Sequence, residues 1–174
     1  MKEFSLYNPR HPKDGQILIG SWMSPQKENG QDFYFVRELD HVIVYAEKLH
    51  VYPPTSPKYG QQKLIADQLE MPLEGVRWYI DVIEKKFFKP PEEGGLPANK
   101  ISYREEVAGE RLHIMRSMNA GCKHPGYDLT NLSRSSHILS TSSQDFSASD
   151  PWLFQGGLMD FLKDVADQYE NNTL

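Results

Sequence analysis

Cysteine is nearly absent from this chain: Cys122 is the only one in 174 residues. One thiol excludes an internal disulfide and any multi-cysteine zinc site. Long apolar runs are also missing. The longest, Val42-Ile43-Val44-Tyr45-Ala46, falls far short of the roughly 20 residues of a membrane-spanning helix. No charged-then-apolar segment opens the sequence, so a cytoplasmic protein without membrane contact is expected. A basic excess is lacking too, since 19 Lys and Arg face 24 Asp and Glu, for a net charge of −5. That balance argues against a nucleic-acid partner until its distribution is examined. Residues 138–174 hold one basic and six acidic side chains, which is the whole deficit. Residues 99–137 hold six basic and four acidic side chains and three of the six histidines. A small local cationic face is therefore available, and a strongly basic one is not.

The remainder has the composition of a folded domain, with 39% hydrophobic and 25% charged residues, and the length suits one domain with an appendage. Residues 1–15 are polar and proline-containing and read as an irregular arm. Residues 16–23 and 32–37 read as strands, with Pro25, Asn29 and Gly30 in the turn between them. From residue 39 to 51, Leu39, Val42, Ile43, Ala46 and Leu49 recur at helical spacing, although Val42 to Tyr45 also suits a strand. Pro53, Pro54 and Pro57 end that element. Two further helical patterns follow: Leu64, Ile65, Ala66 and Leu69, then Leu73, Val76, Ile80, Ile83 and Phe87. Pro72 stands where a first helical residue tolerates the missing donor. No internal repeat is visible.

Two short helices around a turn of about three residues are the spacing of a helix-turn-helix. The stretch from Gln62 to Val76, with Gln62, Ala66, Leu69, Met71 and Val76 at the recurrent positions, resembles the helix-turn-helix of phage repressors and winged-helix regulators. It departs at Glu70, where that family has glycine. The resemblance runs over roughly residues 39–118 and implies an α+β fold: a winged helix-turn-helix core with an N-terminal β element and a C-terminal amphipathic helix. The division it suggests is 1–37 for the arm and β element, 38–118 for the winged-helix domain, 119–149 for a polar loop and 150–174 for the acidic helix.

On that reading the second helix enters the major groove of double-stranded DNA. It presents Leu73, Glu74, Arg77, Trp78 and Asp81 to the bases, with Arg77 able to fork onto guanine. Lys85, Lys86 and Lys89 suit phosphates. A hairpin is expected from residues 101–107 and 110–118 around Ala108-Gly109, with Arg104 facing His113 and Glu106 facing Arg111. As a wing it would bring Lys100, Arg104 and Arg111 to the backbone. The function implied is sequence-specific DNA binding in transcriptional regulation, of the plasmid or phage type. Two alternatives stand beside it: a protein-binding inhibitor or adaptor, and a small phosphoester-handling enzyme using His113, His137 and nearby arginines. Leu158, Phe161, Leu162, Val165 and Ala166 form an apolar stripe, either packed on the domain or pairing a homodimer. Residues 119–149 could order on a protein partner. No cofactor, catalytic residue or metal is assigned; Cys122 with His124 lacks two further ligands.

Overall fold

The computed structural model describes residues 2–23, 31–120 and 123–174. Cys122 and the expected turn through Pro25, Asn29 and Gly30 lie outside them. The chain is predominantly β. A first antiparallel sheet holds β1 (Gln16–Met23), β2 (Gln31–Glu38), β3 (His41–Val51) and β4 (Gln62–Pro72) in sequential order. Helix α1 (Glu74–Val82) follows and continues into a π-helical turn, Ile83–Phe87. A second antiparallel sheet holds β5 (Ser102–Val107), β6 (Glu110–Ser117), β7 (Gly126–Ser135) and β8 (Ser143–Ser149). Helices α2 (Asp150–Phe154) and α3 (Leu158–Glu170) close the chain. Each half is thus a four-strand meander running directly into helix.

This architecture overturns the winged helix-turn-helix expectation, and the physical reasons lie in two segments. The first expected helix, 39–51, is β3, and its residues His41 to Glu47 are all buried. A strand covered on both faces needs apolar residues at consecutive positions. Such a run includes the i, i+3, i+4 positions of a helix by default. The β-branched Val42, Ile43 and Val44 favour the extended form. Leu39 is an exposed turn residue at φ 58°. The second expected helix, around Leu64 to Leu69, is β4, paired with β3 from His41↔Pro72 to Val51↔Gln62. Glu70, expected in the turn of the motif, is a buried strand residue facing polar partners. The polar segment 119–149 holds β7 and β8 rather than only loop.

Other elements follow the sequence pattern. β1 and β2 fall where expected. The β5–β6 register pairs Arg104 with His113, Glu106 with Arg111, Tyr103 with Ile114 and Glu105 with Leu112, as the hairpin reading requires. The helix beginning after Pro72 forms, and Leu73 N–H donates to Asp40 O at 2.9 Å, tying its start to the β2–β3 turn.

One contiguous core joins both halves. Val42, Val44, Leu69 and Met71 of the first sheet meet Leu112, Ile114, Leu129 and Phe146 of the second, together with Val76, Tyr79 and Ile80 of α1. The α3 stripe closes this core: Leu158, Leu162, Val165 and Ala166 are buried, and Phe161 packs on Trp22 and Phe35 with ring centroids at 4.6 and 5.1 Å. Gly20 admits that ring, because a Cβ there would stand 2.7 Å from it. Of the two readings of the stripe, packed on the domain or pairing a homodimer, the structure shows it packed on the domain. On the outer face of the first sheet the N-terminal arm lays Phe4 and Tyr7 over Val36, Ile43 and Tyr45. Among the described residues no helix is long and apolar enough to cross a membrane.

The β5–β6 turn yields a test. Ala108 and Gly109 both have positive φ, 47° and 82°, the geometry of a type I′ turn, whose first position favours Asn over Ala because a short polar side chain hydrogen-bonds locally in the left-handed conformation. Ala108→Asn is expected to stabilise the protein by about 0.5–1 kcal/mol, read as a higher urea midpoint. A lower midpoint would contradict the assigned turn.

Candidate functional site

Two concave regions carry polar chemistry. The first is the seam where the sheets meet. β4 is an edge strand, so its outward peptide groups need partners. At Glu70 these come from side-chain amides of the other sheet: Gln144 Oε1 accepts from Glu70 N–H at 2.8 Å, and Asn131 Nδ2 donates to Glu70 O at 2.7 Å. Between the two sheets lies Arg134, its side chain 5% exposed. Its Nε donates to Glu110 Oε2 at 2.8 Å. Its Nη1 donates to Glu70 Oε2 at 2.9 Å and to Lys2 O at 2.7 Å. Its Nη2 donates to Glu110 Oε1 and lies 3.1 Å from His41 Nε2. The Phe4 ring stacks beneath the guanidinium, 5.1 Å away.

A guanidinium carries five N–H groups, and carboxylate and carbonyl oxygens take four of them. The remaining Nη2 hydrogen is turned toward His41, whose Nε2 is itself engaged with Glu110. Burial alone would raise the Glu110 carboxyl, but hydrogen bonds from Arg134, His41 and Asn131 outweigh it and hold the pKa at about 2. His41 bridges Glu110 and Asp40 at 3.0 and 2.8 Å, and its hydrogen bond lowers the Asp40 carboxyl.

His137 sits at the outer end of this network, in a cleft of about 580 Å³ lined also by Lys2, Glu3, Ser133 and Ser135. Gln68 Nε2 donates to Glu70 Oε1 and to Ser5 O, at 2.8 and 3.2 Å. With both amide hydrogens engaged, the hydrogen between His137 Nε2 and Glu70 Oε1, 2.7 Å apart, belongs to the histidine. His113, the other histidine of the acid–base alternative, lies elsewhere. It faces Arg104 on β5, on the side of the hairpin turned away from buried Leu112 and Ile114. Burial, then the Arg104 charge, lowers its pKa. The two histidines do not form one site.

The second region is a groove between α1 and β5, about 470 Å³ in volume. It collects six of the residues read from sequence as DNA contacts: Glu74, Arg77, Trp78, Asp81, Lys85 and Lys86. Their engagements differ from that reading. Arg77 binds Glu170 at 2.8 Å and also Asp167, both on α3. Glu74 accepts from Tyr169 Oη at 2.8 Å. Lys85 pairs with Asp81 at 2.8 Å. Leu73 is 2% exposed and touches only the interior. Arg104 and Arg111 alternate away from Tyr103 and Glu105 and leave the groove, while Lys89 and Lys100 are exposed in the segment between the halves. The eleven residues therefore do not form one DNA-facing surface.

The groove also holds an aromatic pair, of which the sequence pattern marked Trp78 and not Tyr103. Trp78 and Tyr103 have ring centroids 6.5 Å apart and planes inclined by 32°. Glu105 Oε2 accepts from Trp78 Nε1–H at 2.9 Å and from Tyr103 Oη at 3.4 Å, so one carboxylate orients both rings. Burial and Glu105 together raise the Tyr103 phenol. Lys86 Nζ lies 5.7 Å from the Tyr103 centroid and donates to Gly94 O at 3.1 Å.

No family model, curated protein or solved structure matches the chain. Among the described residues no group of three or more His, Cys, Asp and Glu is placed to hold a metal ion. Function is therefore read from these two regions alone. The two regions differ in character: the seam is an ion-pair network around Arg134, and the groove is lined by two partly buried rings and by charged side chains.

Two tests address the seam. Arg134→Met leaves two buried carboxylates without their cation and should cost about 3–5 kcal/mol in urea unfolding; a loss below about 1 kcal/mol would contradict the lock. Because the folded Glu110 pKa of about 2 is below its ordinary 4.5, its contribution is complete above pH 4.5 and disappears as pH falls through 2. Glu110→Gln should flatten the stability profile between those values.

Proposed function

We propose that this protein acts by binding a small molecule in the α1–β5 groove. The observation that carries the reading is the Trp78–Tyr103 pair, held by one carboxylate at the centre of an open groove. Its volume of about 470 Å³ is that of ligand pockets, which combine apolar or aromatic surface with a few oriented polar groups. Aromatic rings that are fixed before a ligand arrives lose little conformational entropy on binding.

Catalysis at the seam is the less favoured reading. Four of the guanidinium donors there are held by Glu110, Glu70 and the Lys2 carbonyl, and His113 and His137 do not converge. Acid–base work needs partners within hydrogen-bond reach of one reacting group.

Fragment mapping by NMR tests the proposal. The Trp78 indole N–H signal, assigned by its loss in Trp78→Phe, should shift with ring-bearing fragments. Tyr103→Ala, which keeps that reporter, should weaken the binding behind those shifts by about tenfold or more while the amide spectrum of the second sheet is retained. Shifts gathered instead around His137 would transfer the site to the seam cleft.

A further inference from the structure

We infer that the ligand of this groove is a neutral planar heterocycle of the nucleobase type, recognised through an edge that pairs an N–H donor with a neighbouring acceptor. This rests on the binding reading above and names the ligand class for the same site.

The chemistry beside the rings supplies the argument. Both polar ring tips bind the same oxygen of Glu105, Oε2. Among the described residues, Oε1 of that carboxylate receives no hydrogen bond, so it remains a charged acceptor at the edge of the aromatic surface. A carboxylate offers no donor and selects for N–H groups. Lys86 is its counterpart. Its ammonium has three donors, one engaged with Gly94 O, and it stands close to the Tyr103 ring. Lys85 likewise has donors beyond the one given to Asp81. An acceptor and a donor beside one stacking surface complement the donor–acceptor edge of a nucleobase. Stacking on the rings adds affinity that does not depend on the identity of the base.

Charge decides between a base and a polyanion. The lining contains Glu74, Asp81 and Glu105 against Arg77, Lys85 and Lys86, which balance formally. Arg77 is further neutralised by Asp167 and Glu170 of α3. A chain of phosphates would meet three carboxylates without a surplus of cations, and a neutral heterocycle meets no such penalty.

The test is titration of the full chain with guanosine, adenosine, guanosine triphosphate and caffeine, following the Trp78 indole N–H signal. Caffeine is planar but has no N–H donor. Guanosine and adenosine should bind about tenfold or more tightly than caffeine, because a hydrogen bond to a charged acceptor is lost with caffeine. The triphosphate should bind no tighter than guanosine at low salt. Glu105→Gln alters an exposed side chain; it should weaken both nucleosides about tenfold more than it weakens caffeine. Equal binding of caffeine and the nucleosides overturns the edge recognition. Tighter binding of the triphosphate overturns the neutral ligand. If other ring fragments shift the Trp78 signal and neither nucleoside does, the heterocycle class falls and the binding reading stands. If no fragment shifts it, both fall.

Discussion

Arg134 between Glu70 and Glu110 is the constraint on which the arrangement of the two sheets depends. A guanidinium buried to this extent must find all its partners inside the protein. Here those partners come from β4, from the start of β6 and from the N-terminal arm. None of these elements can satisfy it alone. The meander of the first half must therefore bring up Glu70 and that of the second half Glu110. The amides of Asn131 and Gln144 complete the contact by taking the edge peptide of Glu70, so the sheets meet there through side chains rather than a shared backbone ladder. Phe4 under the guanidinium extends the same requirement to the arm.

The α1–β5 groove is a consequence of that docking. The Leu73 N–H bond to Asp40 O fixes α1 to the first sheet, and Leu73, Val76 and Ile80 bury one face of the helix in the common core. The opposite side is set against β5, where Tyr103 and Glu105 share one strand face by simple alternation. α3 then takes Arg77 and Glu74 out of circulation through Asp167, Glu170 and Tyr169. What remains open is the aromatic pair with its carboxylate and lysines. Interactions that hold the fold and groups free to receive a ligand thus occupy separate regions of the molecule.

Legibility in the sequence followed how many faces an element buries. The β5–β6 hairpin alternates polar and apolar residues around Ala108-Gly109, and its register could be read pair by pair. α3 shows one apolar stripe and one acidic face, and it is a helix with that stripe inward. β3 and β4 were misread because β3 is covered on both sides and β4 has polar residues, Gln68 and Glu70, pointing into a polar interior. β7 and β8 look like loop because Asn131, Arg134 and Gln144 are buried, and polarity ordinarily signals exposure. A charged residue between two apolar ones, as in Leu69-Glu70-Met71, was the one local sign of a buried ion pair. The groove residues on α1 were legible as an outward helix face; Tyr103 and Glu105 opposite them were not, since nothing local links residue 78 to residue 105.

By itself the sequence determined the local choices. The helix after Pro72, the hairpin, the acidic terminal helix and the absence of a disulfide framework all follow from residues within a few positions of each other, although Pro72 itself ends β4 instead of opening the helix. Capping, turn chemistry and periodicity act over that range. The pairing of β3 with β4, the burial of Glu70 and Glu110 around Arg134, and the meeting of Trp78, Tyr103 and Glu105 were decided only by the tertiary structure. A buried polar residue is stable only beside its partner, and that partner can stand anywhere along the chain: Glu70 and Arg134 are 64 positions apart. The net charge of −5 shows the same division. Its place along the chain was readable, but which charges face each other, and which stay free beside an aromatic surface, depends on distances that only folding sets.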